Sequence, residues 1–223
     1  MPDQKSKYWK QFQEAFCRSI MDIDQVFFTV DQYDDDEEKD LKEEEKEIKA
    51  AWRERVYCYE LYHQLRHHLP IGFPYTPHCE IDKKNHGNIQ GMFEEYFRKF
   101  PDQNFNIKAP NPDFVVHKPG EMENGSNLVV VEVKHSKGYN KKGYKSDLLK
   151  LECFIEEVKY NSGIFLIYGP SDNMKDNVDG ILRDKQKVLI KDRKLHIFHH
   201  KEVGKYPCDL SSQLIQKWKK LKC

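Results

Sequence analysis

The spacing of apolar residues changes repeatedly along the chain between a helical period and a strand period. Helical spacing predicts helices at residues 8–20, about 50–69, 87–100, from 146 onwards, and 211–221. Short apolar runs predict strands at residues 75–83, at two places between 111 and 135, and at 163–168. A short helix at 176–183 and a hairpin at 187–200 are predicted to follow. Helices that alternate with strands in this way predict an α/β fold.

The helix predicted over residues 50–69 carries acidic residues beside an apolar stripe. The stripe consists of Tyr57, Leu61, Leu65 and Leu69. Glu54 falls on the side that carries Leu61 and Leu65, whereas Glu60 lies at the edge of the stripe. Because a carboxylate that faces a core is costly unless it is paired, Glu54 is predicted to meet a partner in the fold.

Charged residues also stand in the apolar strands between residues 111 and 135. Asp113 opens the first strand, and Glu132 and Lys134 lie two residues apart in the second, so they project to the same face of a sheet. Burial of such charges is unfavourable unless they are paired or bound to a metal ion. The pattern predicts a metal-dependent phosphodiesterase centre. Two structural interpretations stay open: Glu132 and Lys134 as an ion pair on an edge strand, and Asp113 as a turn residue.

The segment that follows the second strand is basic. Residues 138–145 are predicted to form a loop rich in lysine and glycine, and the next helix is predicted to begin at Ser146 with Asp147 in its first turn. The lysines concentrated here are Lys137, Lys141, Lys142, Lys145 and Lys150. Basic residues beside a metal centre favour a ligand with a phosphate backbone.

The charge of the chain is unevenly distributed, although it sums to zero. Residues 31–48 hold eleven acidic side chains and three lysines, a net charge of −8, so the remaining residues carry +8. The acidic tract is predicted to be an exposed helix or linker without chemistry of its own. It divides the chain into an N-terminal helix with an acidic linker, residues 1–49, and a main domain, residues 50–223.

The apolar runs and the cysteines narrow the class of protein. No run approaches the roughly 20 apolar residues of a membrane helix, and the N-terminus lacks the apolar core of a secretory signal. The six cysteines are scattered without a Cys-x-x-Cys pair, which predicts reduced thiols in a cytoplasmic protein. The histidines have two different predicted positions. His196, His199 and His200 are predicted to be exposed on the hairpin. His117 and His135 are predicted to lie near the charged strands, where they would contact the metal-ligating side chains or the phosphate.

The order of the core elements is helix, strand, strand, strand, helix, strand, with a helical insertion between the first two strands. With Pro112-Asp113 and Glu132-Val133-Lys134 in place, the chain resembles the PD-(D/E)xK, or restriction-endonuclease-like, phosphodiesterase superfamily. The resemblance covers about residues 53–169. It implies a mixed sheet core of the type αβββαβ, with N-terminal helices, the helical insertion and a C-terminal extension made of the hairpin and the last helix.

The resemblance also implies roles for individual residues. Asp113 and Glu132 would hold Mg²⁺, which prefers oxygen ligands and which Mn²⁺ can replace, and the Val133 carbonyl would add a ligand. Lys134 would orient or deprotonate the attacking water and stabilise charge on the phosphate. Many members carry a further glutamate on the first helix, for which Glu54 is the first candidate. Glu60 and, on the next strand, Glu80 are the other candidates.

The implied function is a metal-dependent nuclease that hydrolyses DNA phosphodiester bonds, in restriction, another form of defence, or repair. The alternative is a non-cleaving nucleic-acid-binding or scaffolding subunit with the same fold. DNA is the expected partner, with no membrane contact. A homodimer or a place in a larger complex is compatible with either function.

Overall fold

The computed structural model of the chain describes residues 4–28, 43–79, 87–99, 111–120, 126–137 and 141–220. Its helices are α1 (Gln4–Met21), α2 (Gln25–Phe28), α3 (Glu43–His68), α4 (Gly87–Arg98), α5 (Lys141–Glu156), α6 (Met174–Asp179), α7 (Asp184–Lys191) and α8 (Leu210–Lys220). Its strands are β1 (Thr76–Cys79), β2 (Phe114–His117), β3 (Asn127–His135), β4 (Ser162–Tyr168), β5 (Leu195–His200) and β6 (Cys208–Asp209). The α/β class predicted from the sequence is confirmed.

One mixed, open sheet contains all six of these strands in their chain order. Strands β1, β2 and β3 form an antiparallel meander. Strands β3, β4 and β5 are parallel, and the short β6 closes the edge antiparallel to β5. Parallel neighbours need crossover connections, and here α5 joins β3 to β4 while α6 and α7 join β4 to β5.

The sheet separates two apolar cores because successive strand residues point to opposite faces. On one face, Val130 and Phe165 pack with α4, α5, α7 and α8. On the other, Val131 and Leu166 pack with α1 and α3. Strand β4 is buried along its whole length, as expected for a strand that helices cover on both sides.

Aromatic contacts fix α3 against the parallel strands. The ring of Tyr57 stacks on Tyr168 of β4 with 3.9 Å between centroids, and its hydroxyl shares a 2.9 Å hydrogen bond with His200 Nδ1 of β5. The predicted start of this helix near residue 50 is wrong, because α3 begins at Glu43. Residues 43–50 are mostly Glu, Lys and Ala, which have high helix propensity.

Helix α1 forms as predicted and packs into the same core as α3. Phe12, Phe16 and Ile20 are buried there. The division of the chain at residues 49 and 50 remains a prediction. The tract at 29–42 lies outside the described residues, as do 80–86 with Glu80. In the part of the chain that is described, no helix is long and apolar enough to cross a bilayer, and no disulfide links the cysteines.

The hairpin predicted over residues 187–200 is wrong. Its first half is the helix α7, whose buried Gln186, Leu189 and Ile190 recur at helical spacing. Gln186 Oε1 accepts a hydrogen bond from the Arg183 backbone N–H at 3.0 Å and closes the first turn. The second half is β5, which pairs with β4 in parallel.

The three histidines of β5 are buried, so their predicted exposure is also wrong. His196 lies against the ring of Trp9, with centroids 4.5 Å apart, and donates a hydrogen bond to the Arg193 carbonyl. His199 donates to the Gly169 carbonyl at 2.9 Å. Strand β5 has neighbours on both sides and helices on both faces, which is why its imidazoles have protein partners instead of solvent.

Candidate active site

The antiparallel register of β2 and β3 brings Asp113 to Glu132. Phe114 pairs with Val131, and continuation of that register by one residue places Asp113 opposite Glu132. Asp113 Oδ2 accepts a hydrogen bond from the Val133 backbone N–H at 2.7 Å. The Asp113 side chain is therefore fixed to the next strand, in the middle of the Glu132-Val133-Lys134 motif.

Glu54 reaches the same place from α3. Its Oε2 accepts a 2.8 Å hydrogen bond from Lys134 Nζ, and its Oε1 accepts one from the His135 backbone N–H at 3.3 Å. Tyr57, one turn later on α3, anchors the helix to the sheet and so sets the position of Glu54. The expectation that a core-facing Glu54 meets a partner is confirmed, and the partner is the lysine of the motif.

The other two glutamate candidates have different surroundings. Glu60 shares contacts along its own helix, where it accepts a hydrogen bond from Gln64 Nε2 at 2.6 Å and lies 3.4 Å from His63 Nδ1. Glu80 is outside the described residues. In the part of the chain that the structure describes, Glu54 is the candidate that contacts the motif.

Glu132 is almost completely buried, with 1% of its surface exposed. Its Oε2 accepts a 2.8 Å hydrogen bond from Lys150 Nζ of α5. Its Oε1 is also buried and has no hydrogen-bond partner among the described residues. A buried carboxylate oxygen without a donor is unfavourable unless a ligand or a proton occupies it.

Asp147 joins the two lysines. One of its oxygens lies 3.7 Å from Lys134 Nζ and the other 3.2 Å from Lys150 Nζ. The predicted start of α5 at Ser146 is wrong, since the helix begins at Lys141 and Asp147 lies well inside it. Tyr144, which is buried and donates a hydrogen bond to the His135 carbonyl at 3.2 Å, extends the apolar stripe by one turn and fixes the beginning of α5 to the end of β3.

These contacts form a charge network around the carboxyl end of β3. It consists of Glu54, Asp113, Glu132 and Asp147 as carboxylates, and Lys134 and Lys150 as ammonium groups. Four carboxylates and two ammonium groups leave a formal charge of −2. Because α3 and α5 lie on opposite faces of the sheet, the network connects the two layers of helices at one strand end.

Burial and charge pairing shift the pKa values of the network residues in opposite directions. Burial raises the pKa of Glu132 well above its usual value, although Lys150 partly offsets this. Burial also raises the pKa of Asp113 and of Glu54, and Lys134 lowers both. Burial disfavours the charge on Lys134, but Asp147, Glu54 and Asp113 outweigh it and raise the pKa of the ammonium well above its usual value.

The donor atoms of the network fit a hard divalent cation. Glu132 Oε1 is a buried oxygen without a donor among the described residues, Asp113 lies opposite Glu132 in the strand register, and the formal charge of −2 would offset that of Mg²⁺. The fit is incomplete: across the described ranges, no three His, Cys, Asp or Glu side chains form a ready-made metal site. Asp113 and Glu132 are the residues that would hold the ion, with water as further ligands.

Asp147 and Lys150 belong to the network, although the sequence predicted Asp147 only as an acid in the first turn of a helix and Lys150 only as one of the basic residues beside the site. They lie one turn apart on α5, on either side of the buried Leu148 and Leu149. That spacing of charges within an apolar stripe is the same type of indication that identified Glu54. The predicted start of α5 at Ser146 placed Asp147 in the first turn of the helix, where an acidic residue is ordinary, so this indication was missed.

The two histidines predicted to lie nearby differ in position. His117 is at the far end of β2 from Asp113, and its ring contacts His78 with centroids 4.8 Å apart. His135 directly follows Lys134, and its ring packs against Tyr168. Its Nδ1 accepts a hydrogen bond from the Lys137 backbone N–H at 3.2 Å. His135 thus packs beside the network, whereas His117 does not reach it.

The chain gives no significant match to any family model, curated protein or solved structure. Among the features described above, the charge network at the carboxyl end of β3 is the one best suited to catalysis or to ligand binding.

Proposed function

We propose that the chain is a metal-dependent nuclease that hydrolyses phosphodiester bonds in DNA. The observation that carries this proposal is the convergence of Asp113, Glu132, Lys134 and Glu54 from three separate elements. A divalent cation held by Asp113 and Glu132 would polarise the scissile phosphate and lower the pKa of a bound water. Clusters of buried, electrostatically coupled residues of this kind are enriched at functional sites.

The proposed fold is the restriction-endonuclease-like core of the PD-(D/E)xK superfamily. In this assignment α3, β1, β2, β3, α5 and β4 are the core elements, in the order αβββαβ. Helix α4 is the insertion between β1 and β2, and the elements from α6 onwards are the C-terminal extension. The antiparallel meander followed by a parallel fourth strand supports the assignment.

Lys134 has the role of a hydrogen-bond donor in the proposed reaction. Its Nζ has Glu54 Oε2 at 2.8 Å and Asp147 at 3.7 Å, a pairing that favours the ammonium form. An ammonium group oriented in this way stabilises charge that develops on phosphate oxygens and holds the attacking water in line. Glu54 fixes the direction of the Lys134 side chain.

The basic residues beside the network suit a polyanionic substrate. Lys137, Lys141 and Lys142 are exposed just after β3 and at the start of α5. Lysines at such a position neutralise backbone phosphates without reading the sequence of bases. A homodimer that cuts both strands, and a role in restriction, another form of defence or repair, remain predictions from the family resemblance.

The test is cleavage of supercoiled plasmid, linear duplex and single-stranded DNA in Mg²⁺ or Mn²⁺. The native chain is compared with Lys134→Ala and with Lys194→Ala, an exposed lysine of the turn before β5. We expect Lys134→Ala to lose about 10²–10³-fold in rate, as for removal of a donor from a preorganised site, and Lys194→Ala to match the native chain. Equal cleavage by Lys134→Ala would refute the assignment of Lys134.

The second candidate function is a non-cleaving nucleic-acid-binding or scaffolding subunit with this fold. It is favoured by the internal pairing of both lysines with carboxylates, together with the lack of a ready-made metal site in the described part of the chain. DNA binding by the native chain, measured with a labelled duplex, combined with no cleavage in either metal ion, would select this candidate over the nuclease.

A further inference from the structure

Lys150 donates a hydrogen bond to one oxygen of Glu132 and not to the other. Its Nζ lies 2.8 Å from Glu132 Oε2 and 3.2 Å from Asp147 Oδ1. The side chain of Lys150 is 13% exposed and that of Glu132 is 2% exposed. Both charged groups are thus confined within the protein, and the position of the ammonium is determined on two sides by carboxylates.

The two oxygens of Glu132 have different surroundings as a result. Oε2 is engaged by Lys150, whereas Oε1 is buried and has no hydrogen-bond partner among the described residues. A carboxylate fixed at one oxygen cannot rotate without breaking its ion pair. The ion pair therefore restrains the whole carboxylate, and the register of β2 and β3, continued by one residue, places Asp113 opposite Glu132.

We infer that Lys150, held by Asp147, is a positioning residue that fixes Glu132 through Oε2 and presents Oε1 to a divalent cation. The inference rests on the proposed function, because it concerns the same site. Hydrogen bonds to metal-ligating side chains commonly orient them in this way, and their removal lowers metal affinity by about 10–100-fold. Asp147 contacts both lysines, and it would also hold each ammonium group beside the carboxylate with which that lysine pairs.

A competing effect makes the test decisive. An ammonium group also repels a cation, so a lysine that merely neutralised Glu132 would weaken metal binding, and its removal would strengthen it. Positioning and simple charge competition therefore predict opposite changes in metal affinity. A role confined to stability of the fold would leave the affinity of the folded fraction unchanged.

The experiment measures the affinity of the full chain for Mn²⁺ from the electron paramagnetic resonance signal of the free ion, without DNA. The native chain is compared with Lys150→Met, which keeps the apolar stem, and with Lys150→Arg, which keeps charge and donor. We expect about 10–100-fold weaker binding for Lys150→Met and partial rescue by Lys150→Arg. Lys145→Met, on the same helix, is the matched control and should bind as the native chain does.

Tighter or unchanged binding by folded Lys150→Met would overturn the inference. If Lys150→Met does not fold by circular dichroism, Lys150→Leu replaces it, since it also removes the donor to Glu132, and binding at least as tight as the native chain's would again overturn the inference. Absence of Mn²⁺ binding by the native chain would overturn both proposals. Mn²⁺ binding that responds to Lys150 as expected, without DNA cleavage, would support the positioning role and contradict the nuclease.

Discussion

The ion pair between Glu54 and Lys134 can be tested by its coupling energy. The two side chains are 20% and 26% exposed and their charged atoms are 2.8 Å apart. The pertinent substitutions are Glu54→Gln, which keeps an acceptor for the His135 N–H, and Lys134→Met, which keeps the apolar stem. A double-mutant cycle with these variants isolates the interaction between the two charges from the effect of each change alone.

The expected coupling lies between the values for exposed and buried pairs. Exposed pairs contribute about 0.2–1 kcal/mol, whereas loss of one partner from a fully buried pair costs about 3–5 kcal/mol. Because a fifth to a quarter of each side chain is exposed and Asp147 remains 3.7 Å from Lys134, we expect a coupling of about 1–2 kcal/mol.

Urea unfolding at pH 7 in metal-free buffer, followed by circular dichroism, measures this coupling. The midpoints should shift while the m-value stays constant. The exposed pair Arg18–Glu14, with side chains 52% and 66% exposed and 2.6 Å apart, is the matched control and should couple by about 0.5 kcal/mol or less. A Glu54–Lys134 coupling no larger than that of the control would refute the placement of Glu54 in the site.

Three further predictions concern the stability of the fold around the site. Gly169 has φ +98°, and a Cβ there would lie 2.7 Å from Ser136 Oγ, so Gly169→Ala should destabilise the chain by about 2 kcal/mol or more; an unchanged melting temperature would contradict this. Burial lowers the pKa of His200 from 6.5 to about 4, so the unfolded state binds the extra proton and stability is lost as the pH falls from about 6.5 to 4. His200→Gln should remove on the order of 3 kcal/mol of that pH-dependent loss of stability. If the urea midpoints of the native chain and of His200→Gln fall in parallel as the pH is lowered, this prediction is wrong. Tyr96 donates a buried hydrogen bond to Glu152 Oε1 at 2.5 Å. Tyr96→Phe should lower the free energy of unfolding, measured in urea, by about 1.5–3 kcal/mol. A decrease below about 0.5 kcal/mol, roughly the error of the method, would mean that the hydrogen bond does not contribute to stability.

Local patterns in the sequence predicted the elements that form the core of the fold. The stripe on α3 follows from helical spacing, whereas β3 and β4 follow from short apolar runs whose length and composition favour a strand. The prediction failed where a segment had balanced polarity. Residues 187–191 are predicted as the first strand of a hairpin, but a helix forms there, with Leu189 and Ile190 buried in the core.

Local sequence patterns also failed at the start of α5. Lysine and glycine at residues 141–143 suggested a loop, and Ser146 resembled a cap. The helix nevertheless extends to Lys141, because Tyr144 is buried and donates to the carbonyl of His135. A tertiary contact of this type has no local counterpart in the sequence.

The sequence by itself determined which residues carry charge in apolar surroundings, because amphipathic periodicity assigns each residue to a face. It identified Asp113, Glu132 and Lys134 from strand spacing and preferred Glu54 from helical spacing. Only the tertiary structure decided that Glu54 meets Lys134, and that Lys150 and Asp147 complete the network. The physical reason is that the pairs that join different elements are far apart along the chain: 80 residues separate Glu54 from Lys134, and 18 separate Glu132 from Lys150. Their meeting depends on how the helices pack against the sheet, which no local pattern specifies.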